Sequence, residues 1–431
     1  MIIHVVQPDD TIFSIAKQYN ISTKRLEQDN NLSPNNILNI GQALMISYPE
    51  RTYIVKEGDT LSSIAQTQGV PLKQLQRNNP QLTDRVFLST GEEIIISYPT
   101  TENKIKVIGY TTTYINLQVL KTTLPFLTYL TIYNFKVTAN GNFVDLNDTE
   151  IIQLAKQYGV RPIMFLSALT EQGKGSYGIT HSIISNEQVQ DRLIDKVLTN
   201  MKLKGYYGLN LAFHNILPED LTGYVNFIAN VTTRLNSEGF EVFVTLTPFT
   251  MQYKIGIQYK NTFFTDIGQI ANNIILISYL WAAAEISQVA ETTVDFLAEY
   301  LSYVATQIPP EKIFIGLTRI AYNWELPYVP GDSIGTSLTN SGAINLANQL
   351  GVSIQFNERT QTPYFYYTDA GIEHYVWFKD SRSIKAILNL VDEYDLKGIA
   401  IWNIMYYNSP TWLSINSQFD IETIEDNFSE F

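Results

Sequence analysis

The residues best suited to chemistry converge on one short stretch. In GYYGLNLAFHNI (205–216), Tyr207, Leu209, Leu211 and Phe213 alternate with Gly208, Asn210, Ala212 and His214. A period of two marks a strand, whose successive side chains point to opposite faces. The odd positions are all apolar and must pack, so the even positions line the other face and lead up to His214. An imidazole has an unperturbed pKa of about 6.5 and could give or take a proton near neutral pH. The bland alternative is a hydrogen-bonded structural histidine, the commoner case for a lone one. No carboxylate pair stands nearby: Glu219 and Asp220 follow Pro218 and read as first-turn helix residues, where acidic groups offset the helix dipole. His4, His181, His214 and His374 show no ligand spacing, so no metal or organic cofactor is implied. The chain has no cysteine, which removes disulfides, thiolate zinc sites and a cysteine nucleophile.

The elements that must hold this stretch are legible on both sides of it. Candidate strands are Ile105–Tyr110, Leu127–Tyr133, Pro162–Ser167, Tyr207–His214, Glu241–Thr247, Asn273–Trp281, Lys312–Arg319 and Gly398–Met405. Helical stripes lie between them, such as Val189, Leu193, Val197 and Met201, which runs out into Lys202, Lys204 and Gly205. Eight βα units predict an α/β fold of the TIM (β/α)8 type over 103–431. A doubly wound open sheet is the competitor, but no Gly-rich phosphate loop follows any strand. The gap before the eighth strand is long. Within it Val352–Asn357, Pro363–Thr368 and Ile372–Phe378, with Asp369-Ala370-Gly371 as a turn, predict a small β-rich insertion at about 328–380. In such a barrel the reacting groups stand on the C-terminal ends of the strands, so His214 would be aimed into the mouth.

Composition narrows the partners. Of 431 residues 45% are apolar and 12% aromatic, enough for a large core. Lys and Arg number 29 against 42 Asp and Glu, and a net charge of −13 opposes nucleic acid. No basic stretch precedes the apolar residues of Met1–Pro8 and no long apolar run follows, so neither a signal peptide nor a membrane span is read. The 27 tyrosines suit sugar stacking, although such rings more often simply pack.

The N-terminal part repeats. HVVQPDDTIFSIAKQYNISTKRLEQDN (4–30) realigns with YIVKEGDTLSSIAQTQGVPLKQLQRNN (53–79). Asp10-Thr11 matches Asp59-Thr60, Leu26 matches Leu75, and Asn30 matches Asn79. Each unit reads strand, helix, helix, strand, with Thr11 or Thr60 placed to cap the first helix. These predict two small βααβ modules, 1–49 and 50–99, linked at Tyr48-Pro49 and Tyr98-Pro99.

The repeats resemble LysM modules, which bind N-acetylglucosamine glycans. The barrel resembles glycoside hydrolase family 18, the chitinase family, through PFLTYLTIYNF (125–135), ISYLW (277–281), EHYVWFKDSRS (373–383) and GIAIWNI (398–404). The layout is similar to that of spore cortex-lytic N-acetylglucosaminidases. In that family the fourth strand ends in Asp-x-Glu. The glutamate protonates the leaving oxygen, and the aspartate steers the substrate's own acetamide onto C1. Here those positions hold Ala212 and His214, and the family's Tyr-Asp pair on the sixth strand is Tyr279-Leu280. Three departures spread over two separate motifs indicate natural divergence. The resemblance also makes Asn210, Tyr279 and Trp402 sugar-binding candidates, with Trp281, Trp324 and Trp377 as weaker ones. In the modules it selects Asp10, Thr11 and Asn30, and Asp59, Thr60, Leu61 and Asn79. Asp9 stands where these modules have glycine, and aspartate tolerates a left-handed backbone.

Three readings follow. The first is a peptidoglycan- or chitin-binding protein of the spore coat, cortex or cell wall with a degenerate, non-catalytic barrel. The second is an active or weakly active spore cortex-lytic N-acetylglucosaminidase with His214 at the acid position. The third is a self-assembling structural protein of the spore surface that meets other coat proteins.

Overall fold

The computed structural model describes residues 1–33, 37–85, 87–99, 103–168, 176–213, 216–246, 263–277, 293–329, 333 and 335–424. The first repeat comprises β1 (Ile2–Val5), α1 (Ile12–Gln18), α2 (Thr23–Asn30) and β2 (Ala43–Ile46); the second comprises β3 (Arg51–Ile54), α3 (Leu61–Gln68), α4 (Leu72–Asn78) and β4 (Glu93–Ser97). Each pairs its two strands antiparallel over its own small apolar core. Thr11 and Thr60 each close a reciprocal capping box, with Ser14 and Ser63 respectively. Such caps satisfy donors that a helix N-terminus otherwise leaves open.

Seven parallel strands follow: β5 (Lys104–Thr112), β6 (Tyr129–Lys136), β7 (Arg161–Ser167), β8 (Gly208–Ala212), β9 (Glu241–Leu246), β10 (Asn273–Leu276) and β11 (Ile313–Thr318). The chain then builds a lobe from β12 (Ile320–Leu326), β13 (Thr336–Thr339), β14 (Gln355–Asn357), β15 (Thr362–Asp369) and β16 (Ile372–Trp377) before β17 (Gly398–Trp402). β17 pairs with both β11 and β5, closing an eight-stranded parallel barrel. Around it run α5 (Leu117–Thr123), α6 (Thr149–Gln157), α7 (Tyr177–Ile184), α8 (Glu187–Lys204), α9 (Leu221–Asn236), α10 (Phe263–Ile270) and α11 (Val294–Val304). The lobe carries α12 (Asn340–Leu350), and α13 (Ser381–Glu393) and α14 (Ser409–Gln418) flank β17. All eight expected strands are present.

Three features differ from the sequence reading. The inserted lobe starts at Ile320 rather than near 328 and contains a helix, because β12 follows β11 after Arg319 alone and pairs with β13 and β16 of the lobe. The stretch Val352–Asn357 is strand only over Gln355–Asn357. A two-residue strand, β18 (Asp420–Ile421), extends the barrel sheet beside β5 and gives no sequence signal.

The repeats are docked on the barrel rather than strung ahead of it. Met45, Ile95, Tyr98 and Leu413 form one apolar cluster joining both repeats to α14. Arg77, buried on α4, donates to the Ile421 carbonyl at 3.2 Å, and Lys73 donates to the Leu127 carbonyl at 2.8 Å. Burial beside Arg77 pushes the Lys73 ammonium down to about 7. In the first repeat Asn39 donates to the Val352 carbonyl at 3.0 Å and the Ile354 amide donates to the Ile40 carbonyl at 2.9 Å.

Candidate active site and glycan-binding modules

The alternation sorts side chains as expected from Gly208 on, whereas Tyr207, read as facing the helices, packs on the inner cluster beside Tyr129, because β8 begins only after it. Leu209, Leu211 and Phe213 join the large core under the helices, whereas Ala212 joins an inner cluster with Ile108, Tyr110, Ile163, Phe165, Phe243 and Phe314. Asn210 is buried in the same interior. It accepts from the Tyr110 hydroxyl at 3.1 Å and donates to the Thr245 hydroxyl oxygen at 2.8 Å, so its amide fastens three strands together. Burial raises the Tyr110 phenol above its ordinary range, keeping it a donor. Ala212, the last residue of β8, is wholly buried and brings only a methyl group to the upper end of the strand.

Aromatic rings dominate the mouth. Trp402 ends β17, is half-buried, and meets Tyr133 edge-on at 4.9 Å and Tyr110 at 5.5 Å between ring centroids. Tyr133 in turn lies 5.0 Å from Phe165. The loop after Trp402 is held by Arg319, which is fully buried and donates to the carbonyls of Asn403 and Tyr406, at 3.1 and 2.7 Å. Its guanidinium also lies 4.3 Å from the Tyr406 ring centroid, a cation–π contact. Tyr110, Tyr133 and Arg319 escaped the sequence reading. Alternation along the first two strands could have found the tyrosines, but nothing local marks the arginine.

Among the described residues, two carboxylates on the elements that follow β8 are engaged elsewhere. Asp220 lies in a short turn before α9 and pairs with His181 Nδ1 at 2.9 Å, with Tyr177 beside the imidazole. Glu241 opens β9, at the opposite end of the barrel, where it accepts from Tyr207 and Asn273 at 2.8 Å each. His214, Tyr279, Leu280 and Trp281 lie outside the described residues. Trp324 and Trp377 are fully buried in the inserted lobe. His4 pairs with Asp10 and Tyr19, and His374 stacks on Tyr367. Among the described residues, no group of three or more His, Asp or Glu is placed to hold a metal ion.

Residues 106–406 match the family model described as glycosyl hydrolases family 18. The chain belongs to glycosyl hydrolase family 18. Residues 4–47 and 53–97 match the LysM domain model, so this member of the family carries two LysM domains ahead of its barrel. The cortical fragment-lytic enzyme of Bacillus anthracis is 29% identical over 430 residues, covering 96% of this chain and 98% of that protein. The crystal structure of the Bacillus megaterium QM B1551 spore cortex-lytic enzyme SleL is 30% identical, covers 98% of this chain and 99% of that one, and superposes with a TM-score of 0.80. A chitinase from Chromobacterium violaceum shares the fold, at 20% identity over 73% of this family 18 chain and a TM-score of 0.66.

Within the LysM domains the singled-out side chains serve mainly to build the modules. Asn30 donates to the Leu26 and Met45 carbonyls and accepts from the Met45 amide, at 2.6–2.9 Å. Asn79 repeats this with Leu75 and Ile95, at 2.7–2.9 Å. Both are buried, so they clip helix to strand and do not line a surface. Asp10 and Asp59 turn the first loop by accepting from the amides of Gln7 and Lys56 at 2.7 and 2.8 Å. Leu61 packs partly on the second core. Asp9 has φ +68°, against φ +83° for Gly58, so the aspartate adopts the left-handed turn that glycine takes in the other repeat. Among the described residues no helix is long and apolar enough to cross a membrane.

Proposed function

We propose that this chain is a glycan-binding protein of the spore or cell wall. Its LysM domains and the mouth of its barrel hold N-acetylglucosamine polymers such as peptidoglycan or chitin, which the barrel does not hydrolyse at family rates. The observation that carries this reading is Ala212. Substrate-assisted hydrolysis needs one group to protonate the leaving oxygen and one carboxylate to steer the acetamide, both in a single geometry. At the steering position stands a buried methyl among apolar and aromatic side chains, which accepts no hydrogen bond. Asp220 and Glu241 are tied to other partners and supply no substitute. Losing a positioned general acid costs about 10²–10⁴ in rate, and losing transition-state electrostatics roughly 10²–10³ more, without strict additivity. A rim of Trp402 and Tyr133, both only partly buried, retains flat faces of the kind that stack on sugar rings.

The second reading is a slow cortex hydrolase in which His214 takes the acid's place. The full-length relatives with lytic names favour it. One experiment separates the two. The chain is incubated with purified cortex peptidoglycan and with chitin, and both sedimentation and release of reducing ends are followed. Retention without release supports the binder. Release at the rate of a cortex-lytic relative assayed beside it supports the hydrolase.

A further inference from the structure

We infer that the two LysM domains have divided their roles: the second is the outward glycan-capturing module, and the first is an internal clamp that fastens the inserted lobe to the barrel. The inference rests on the binding reading above and on the groove that the LysM resemblance implies, between the first strand–helix loop and the second helix–strand loop. It presents backbone groups there to acetamides.

The backbone groups of the first repeat's helix–strand loop are already used. The carbonyl of Ile37 accepts from Asn348 at 3.1 Å, that of Ile40 from the Ile354 amide at 2.9 Å, and that of Gly41 from Arg382 at 3.2 Å. Asn39 is buried and its amide donates to the Val352 carbonyl. The approach is close enough that a Cβ built on Gly41 would lie 1.8 Å from the Ile354 carbonyl oxygen. A sugar chain entering there must displace the lobe.

The same loop of the second repeat is turned outward. Gly91 has the same backbone, φ +85° against +86°, yet a Cβ built on it meets nothing within 4 Å. Ser89 and Thr90 are exposed where Asn39 is buried. Phe87 offers an aromatic face where the first repeat has the aliphatic Ile37; both are exposed, at 82% and 80%, so the difference is in chemistry and not in access. This repeat docks through other parts: α4 by way of Lys73, Arg77 and Asn78, and the turn at Thr83 and Asp84, which meets Gln118 and Lys121. One docking mode consumes a groove wall, and the other leaves it free.

Matched substitutions at the equivalent exposed positions Thr90 and Ile40 test this in the full chain. Binding to insoluble peptidoglycan is read by sedimentation, and folding by the circular-dichroism melt. Thr90→Trp is expected to weaken binding at least tenfold, and Ile40→Trp less than twofold, with both melts retained. Phe87→Ala, which removes a ring already in solvent and leaves the core intact, is expected to weaken binding about fivefold. Ile40→Trp weakening binding as much as Thr90→Trp, or neither weakening it, would overturn the division of roles while leaving glycan binding intact. No binding by the unmodified chain would overturn the underlying reading as well.

Discussion

Replacing Gly41 and Gly91 separately by alanine gives a matched pair in which backbone strain is common and docking is not. Both glycines have φ near +85°, where a Cβ costs about 1–2 kcal/mol. At Gly91 nothing else is disturbed, because the new methyl meets open space. At Gly41 the methyl would lie 1.8 Å from a main-chain oxygen of the lobe, a distance that real contacts never show. The Val352–Ile354 segment must therefore retreat by roughly 1 Å or more. That retreat breaks the bonds from Ile354 to Ile40 and from Asn39 to Val352. At about 1 kcal/mol each these add about 2 kcal/mol, so Gly41→Ala should cost about 3–4 kcal/mol and Gly91→Ala about 1–2. Native-state hydrogen exchange suits a chain of several cooperative units, because it reads local opening. The Ile354 amide should lose protection in Gly41→Ala and keep it in Gly91→Ala. Equal exchange at Ile354 in the two variants would refute the reasoning.

Other consequences follow from individual side chains. Asn79→Ala and Asn30→Ala each remove three buried hydrogen bonds and strand a backbone amide, so urea denaturation should show losses of about 2–4 kcal/mol, whether or not glycan is present. Asp29 is buried between the repeats, and desolvation raises its carboxyl to about 6 despite Arg25 and the Ser47 hydroxyl. Its contribution to stability is therefore full below about pH 3.8 and is lost as pH rises through 6. Asp29→Asn should flatten that segment of a melting-temperature profile and stabilise the chain above pH 7, by up to about 3 kcal/mol. Trp402→Ala should weaken binding of soluble N-acetylglucosamine oligomers to the isothermal-titration limit if the barrel mouth holds sugar, and an unchanged affinity would assign all binding to the LysM domains.

Much of the fold was legible because its signals are local and repeated. Parallel strands buried on both faces read as short apolar runs, and the sheet closes on all eight of them. The LysM boundaries came from the repeat itself, through Asp10-Thr11 and Asp59-Thr60. The lumen face of β8 followed from strict alternation at Leu209, Asn210, Leu211 and Ala212. What stayed hidden depends on partners distant in sequence. β18 has two residues and exists only because β5 offers an edge. The docking of the first repeat uses the carbonyls of Ile37, Ile40 and Gly41, groups that every residue carries, so the sequence could not mark them. Asn30 and Asn79 became binding candidates through the resemblance to LysM modules, and they are also a pair that recurs in the repeat. They recur because each must bond the strand that returns after its helix.

If Ala212 and His214 leave the barrel without the pair of groups that family hydrolysis uses, restoring that pair should restore turnover. Turnover of β-1,4-linked N-acetylglucosamine polymers and of spore cortex should be measured for the unmodified chain and for Ala212→Asp combined with His214→Glu. Background release is expected from the unmodified chain and measurable, incomplete turnover from the double variant, since Leu280 still departs from the family pattern. Robust hydrolysis by the unmodified chain, abolished by His214→Ala, would contradict that expectation.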